Sequence, residues 1–241
     1  AHTIQKFLQV AKEVWGAHEA AHSWPAQDLL DYGSAVLNSL QPGMVYIGGT
    51  DAGRFIPTFL NETSGGEKHI VLTQNALADG TYLDYANFLY GDRLKTLDGE
   101  DSQRAFSEYL ANIQKRYEHD QKFPGEPKQM RPDENYKSEA GRVQISGQVA
   151  VMSINELLVK MLQQKNPELS FAMEESFSLP STYAGAVPLG PIMQLGSDDS
   201  TTKLTPELAA NSLNYWRDRI SDVTSTPAEN PARNNTYAHM I

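Results

Sequence analysis

The sequence predicts an α/β fold in which a short, mostly parallel sheet lies between flanking helices. Two observations predict it. Met44-Val45-Tyr46-Ile47 is a short apolar run rich in β-formers, followed by a glycine-bearing loop and an amphipathic segment. The same order of strand, loop and helix recurs from Lys68 to Tyr90. Two such units with little chain between their strands form a parallel sheet joined by right-handed crossovers. The expectation is therefore a small Rossmann-like three-layer domain, with no internal repeat of fixed period.

The elements follow in chain order. Ile4, Phe7, Leu8, Val10, Ala11, Val14 and Trp15 fall at helical spacing and predict a helix over 3–15, within an N-terminal helix and connector at 1–24. A second helix is expected over 25–40. Pro25 opens it, Leu29, Leu30, Gly33, Val36, Leu37 and Leu40 share one face, and Gln41-Pro42-Gly43 ends it. After the strand at 44–47 and the loop Gly48–Arg54, a helix over 54–61 turns Phe55, Ile56, Phe59 and Leu60 inward. Pro57 is placed in its first turn, where a missing N–H costs nothing. Lys68 to Thr73 reads as a buried strand, 74–80 as a loop, and 81–90 as a helix stopped by Gly91.

Further along, 101–117 carries Phe106, Tyr109, Leu110, Ile113 and Tyr117 at helical spacing. The polar, proline-punctuated stretch 118–142 is expected to be a long, mobile excursion. Val151, Ile154, Leu158 and Met161 form the stripe of a helix over 149–164, halted by Asn166-Pro167. Strands are expected at 169–173 and 191–195, and a last helix at 205–220. The domain proper then covers 25–220, and the polar tail 221–241 is expected to fray.

Composition narrows the function. Thirty acidic residues against twenty basic ones give a formal net charge of -10. That balance argues against a nucleic-acid partner, whose affinity rests on Lys and Arg displacing counterions, and against docking to anionic lipid. The chain has no cysteine, which excludes disulfides, thiolate nucleophiles and zinc ribbons together. No apolar run is long enough to cross a bilayer, so no direct membrane insertion of this chain is expected. The N-terminus carries no basic-then-apolar signal pattern, so any export signal is expected outside it.

Three constellations are candidates for chemistry. His18-Glu19-Ala20-Ala21-His22 matches H-E-x-x-H, where two imidazoles one helical turn apart ligate zinc and the glutamate acts as base. Asp28 stands where some zinc proteases place a third ligand. Pro25, however, replaces the glycine such chains turn on, and too little chain precedes the motif to line a protease cleft. No metal and no cofactor is expected. The second candidate is Gly48-Gly49-Thr50-Asp51-Ala52-Gly53-Arg54, whose glycines admit a ligand to the backbone at a helix start. It is neither G-x-G-x-x-G nor a Walker loop. Thr50, Asp51 and Arg54 are its candidate ligand-binding residues, with an Asp51 cap paired to Arg54 as the structural alternative.

The third is Gln74, Asn75, Asp79 and Tyr82, in a loop expected at the same carboxyl edge of the sheet. Asn75 holding loop backbone and Asp79 capping a helix are the structural alternatives. Glu174-Glu175-Ser176 follows the next strand and could add carboxylates there. No nucleophile elbow and no ordered Ser, His and Asp set is present, so no catalytic residue is assigned.

Several stretches taken together resemble a known family. Asp31-Tyr32-Gly33, Leu37-Asn38-Ser39-Leu40-Gln41-Pro42-Gly43 and Gly49-Thr50-Asp51 with Phe55 resemble the soluble tail of bacterial membrane proteins described as protein O-mannosyltransferase-like. Most of that family has no assigned function. The runs from Thr73 to Tyr82 and from Gly141 to Ala150, with Glu174-Glu175-Ser176-Phe177, resemble one of its branches. The resemblance implies a bacterial, extracytoplasmic domain following a multi-helix membrane portion. It makes the membrane-embedded portion of the same or a partner protein the expected neighbour, and carbohydrate a further candidate partner. In the related glycosyltransferases the catalytic acids lie in membrane-portion loops, so nothing catalytic carries over to this chain.

The expected function is a non-catalytic recognition or assembly domain associated with a glycosyltransferase-like membrane protein. One alternative is a small-ligand binding module or enzyme, for a sugar or phosphorylated group, at Thr50–Arg54 and Gln74–Tyr82. The other is a zinc hydrolase built on His18, Glu19 and His22.

Overall fold

Val45, Tyr46 and Ile47 have no exposed surface, because the strand they form lies inside a sheet with helices on both faces. The computed structural model describes residues 2–23, 25–49, 51–66, 68–139, 142–174, 182–196 and 204–225. In chain order its elements are α1 (His2–Ser23), α2 (Ala26–Ser39), β1 (Val45–Gly48), α3 (Asp51–Thr63), β2 (Ile70–Thr73) and a 3-10 turn at Gln74–Ala76. There follow α4 (Gly80–Tyr90), α5 (Gly99–Lys122), β3 (Asn135–Glu139), β4 (Arg142–Ser146) and α6 (Gln148–Lys165). The last are β5 (Phe171–Met173), β6 (Val187–Leu189), β7 (Ile192–Gln194) and α7 (Pro206–Ser225).

The main sheet has the order β2-β1-β5-β7-β6. β1 pairs in parallel with β2, Gly48 beside Thr73, and with β5, Ile47 beside Met173. β7 and β6 close the far side as an antiparallel hairpin turning at Gly190, whose φ of 62° suits a residue without Cβ. The parallel strands are apolar on both faces, as expected for strands covered twice. Val45, Ile47, Ile70, Leu72, Phe171 and Met173 pack into the larger core with α4 and α6. Tyr46, Val71 and Ala172 face Val36 of α2 and Leu40 just beyond its end. α3 packs on α2 and on the two strands it joins, and α7 lies against β6. The result is the three-layer α/β arrangement that periodicity predicted.

β2 is an edge strand, and side chains hold its outer side. The Asn61 amide engages both the N–H and the C=O of His69, at 2.9 and 3.1 Å, and the Tyr82 hydroxyl accepts from Thr73 N–H at 2.7 Å. Groups that would otherwise template another strand are thereby satisfied.

Two segments differ from the sequence expectation. The stretch 118–142 opens with the end of α5, and β3 beyond it pairs with β4 in an antiparallel ribbon. Its anchor is apolar in part, where Met130, Tyr136 and Ile145 pack on Tyr109, Ile113 and Ala150, and polar in part. Tyr109, Arg116 and Arg131 converge on the buried Glu134, and Asp133 caps α6 by accepting from Gln148 N–H at 2.8 Å. Hydrophobic spacing carries no record of the polar part. The first helix is also longer than predicted, and its apolar side is the exposed one. Gln9, Glu13, Gly16, Ala17 and Ala20 face the body, against α3 and α4, whereas Phe7 (71% exposed), Leu8, Val10, Val14 and Trp15 (68%) face outward. A Cβ at Gly16 would lie 2.4 Å from the Phe55 ring, so any larger residue there would displace that ring.

Candidate functional site

β1, β2 and β5 are parallel, so the segments after Gly48, Thr73 and Met173 leave from one edge of the sheet. The chain passes from β1 to β2 on one side and reaches β5 on the other. The β1–β5 boundary is therefore a topological switch point, where open α/β sheets receive ligands.

One buried carboxylate organises this edge. Glu174, 3% exposed, follows β5 directly. Its Oε1 accepts from Gly49 N–H at 2.7 Å, and its Oε2 lies 3.3 Å from the Tyr32 hydroxyl and 3.4 Å from that of Tyr46. The Tyr183 hydroxyl donates to its backbone carbonyl at 3.0 Å. Glycines make room. A Cβ at Gly53 would sit 1.4 Å from Glu174 Oε2, and one at Gly48 would sit 2.1 Å from Gly53 O.

Pro57 completes the local logic. α3 begins at Asp51, so Pro57 lies beyond its first turn and denies Gly53 the N–H that would normally reach back four residues. Tyr46 supplies the missing donor, its hydroxyl meeting Gly53 O at 2.6 Å. A phenol has one proton, and the shorter contact claims it, which leaves Tyr32 as the phenol that donates to Glu174 among the described residues. Burial, reinforced by the Glu174 charge, pushes both phenols well above the usual tyrosine range, so they remain donors.

A helix start in this position offers free N–H groups and the positive end of a dipole, a seat for an anionic ligand group. Here the chain places its own carboxylate beside it. No protein-family model, curated protein or solved structure matches the chain in comparison.

The candidate residues have the following places. Thr50 lies outside the described residues, as do Glu175 and Ser176 and the side chain of Asp51. The Arg54 guanidinium stacks over the Phe55 ring at 4.1 Å. Asp79 caps α4, accepting from Thr81 and Tyr82 N–H at 2.8 and 3.4 Å. Asn75 Oδ1 accepts from Asn155 of α6 at 3.1 Å. Tyr82 is committed to the β2 edge. Gln74 is fully buried, and neither end of its amide meets a hydrogen-bonding group among the described residues. His18 and His22 lie exposed on α1, ring beside ring at 6.4 Å. Among the described residues no three metal-ligating side chains gather.

Sequence reasoning did not find Tyr32, Tyr46 or Tyr183. Two signals were present: a tyrosine inside an apolar strand, whose hydroxyl must find a partner when buried, and a proline four residues after a glycine in a helical stretch. Only the fold shows that one answers the other.

Proposed function

We propose that this chain is a non-catalytic recognition or assembly domain, extracytoplasmic and bacterial, that serves a glycosyltransferase-like membrane protein and docks through the outward face of α1. The observation that carries the reading is the exposed apolar side of α1. An amphipathic helix normally buries its apolar stripe. α1 instead turns Gln9 and Glu13 toward the body and leaves Phe7, Leu8, Val10, Val14 and Trp15 in solvent. Burying an exposed side chain of this kind yields roughly 1.5–3 kcal/mol, and a contiguous apolar patch marks an interaction surface. The self-filled seat beside Gly49 supports the non-catalytic half of the reading, since the usual place for an anionic substrate group holds Glu174.

The partner that fits is the apolar, membrane-embedded portion of the same or a neighbouring protein. Photo-crosslinking from position 14, in cells that make the chain with its natural neighbours, tests this. A discrete adduct with a multi-helix membrane protein is expected there and not from position 213, an exposed leucine on α7. Equal labelling from both positions, or none from 7, 14 and 15, rejects the reading. A second reading, small-ligand binding at the sheet edge, is favoured by the buried amide of Gln74.

A further inference from the structure

We propose that the carboxyl edge of the sheet binds a neutral, hydroxyl-bearing small molecule, a free sugar or polyol, through the side-chain amide of Gln74. The proposal rests on the second reading and not on docking through α1. Gln74 has no exposed surface, and both its Oε1 and its Nε2 are without a partner among the described residues. Buried polar groups in native proteins are almost always hydrogen-bonded, and an exception calls for an explanation such as a bound molecule. An apolar side chain of the same shape would be more stable there, so the amide costs the fold stability unless a ligand meets it.

Its place in the fold is that of a ligand group. Gln74 is one residue beyond the last ladder pair, Gly48 with Thr73, and so flanks the glycine loop on one side. Glu174 follows β5 on the other side of β1. Beside Gln74, the Asn75 amide is joined to that of Asn155, so two further uncharged amide groups stand next to it.

The chemistry of these groups selects the ligand class. An amide offers an acceptor and two donors and carries no charge, which matches hydroxyls that both donate and accept. The Glu174 carboxylate already occupies the N–H of Gly49, a backbone donor that a phosphate would otherwise take at this edge. A phosphorylated ligand is therefore disfavoured and its neutral parent is not. Because the amide is closed to solvent, the turn at 74–79 must shift for the ligand to enter.

Thermal denaturation of the whole chain with glucose, mannose, N-acetylglucosamine, myo-inositol and glucose 6-phosphate tests the proposal, with Gln74→Met alongside. At least one neutral probe should raise the Tm of the parent chain in a saturable way, and glucose 6-phosphate should not. Gln74→Met should lose that response while its ligand-free Tm equals or exceeds the parent's. A parent chain indifferent to every neutral probe overturns the proposal, as does an undiminished response in Gln74→Met. A ligand-free Gln74→Met of lower Tm also overturns it, because the amide is then already satisfied within the chain. A glucose 6-phosphate response equal to that of glucose overturns the neutral class. Failure on any of these counts leaves crosslinking through α1 untouched, so the two readings fail separately.

Discussion

Glu134 and Glu174 are buried to a similar degree, 8% and 3% exposed, and the chain surrounds them with different chemistry. Glu134 sits among cations. Arg116 holds both of its oxygens, Arg131 reaches it through the guanidinium at 2.7 Å and the backbone N–H at 2.9 Å, and Tyr109 donates at 2.8 Å. Burial alone would raise its pKa, but the hydrogen bonds from the two arginines outweigh burial and hold it down to about 2. Tyr109 moves the other way, pushed up to about 12 by burial and by its bond to the carboxylate. Glu174 is met by a backbone N–H and the Tyr32 hydroxyl, at the mouth of a parallel sheet. The first glutamate is a charge clamp that holds the ribbon to α5 beside the apolar contacts of Tyr136 and Ile145 with Tyr109, Ile113 and Ala150. The second fills a seat that the fold would otherwise offer to a ligand.

Removing the clamp should have the largest effect. Glu134→Ala leaves the mostly buried Arg116 facing Arg131 with no counter-charge, and urea denaturation should show a loss of about 3 kcal/mol. A loss under about 1 kcal/mol would reduce the clamp to an ordinary surface pair and erase the contrast. The same contrast appears with acid. Since the folded pKa of Glu134 lies below its ordinary 4.5, its contribution is complete above that value and fades as pH falls through about 2. Hydrogen exchange followed down this range should show the β3–β4 amides losing protection before those of β1.

At the other glutamate the expected effects are smaller and steric. Gly53→Ala places a methyl on the Glu174 carboxylate and should cost about 2 kcal/mol, most of it recovered when Glu174→Gly is added. Additive losses in that pair would mean the two sites do not touch. Smaller again is Tyr46→Phe, which leaves Gly53 O without its donor and should cost about 1 kcal/mol in the same assay.

The difference between these regions also marks what sequence can say. β1, β2 and the helices that follow them were legible because local hydrophobic period decides them, and Asp79 was legible as a cap because a cap acts within one turn. The ribbon at 135–146 was not, since its anchor joins Arg116 to a glutamate eighteen residues away. Spacing revealed that α1 is a helix, but not that its apolar side lies uncovered, because covering depends on what the body presents to it. At the candidate site, the loops after β1 and β2 could be placed on one edge from topology alone. The union of Tyr46, Gly53, Pro57 and Glu174 could not, because it depends on β5 lying beside β1.

The self-filled seat is tested most directly by emptying it. Glu174→Gly removes the carboxylate and leaves Gly49 N–H and the Tyr32 hydroxyl facing a space the size of a small carboxylate anion. This variant should melt below the parent chain, and millimolar formate or acetate should restore much of the loss. Chloride at equal ionic strength should not, and the parent chain should ignore all three. A variant that melts lower but responds to carboxylates no more than to chloride, or a parent chain that responds equally, would contradict the self-filled seat.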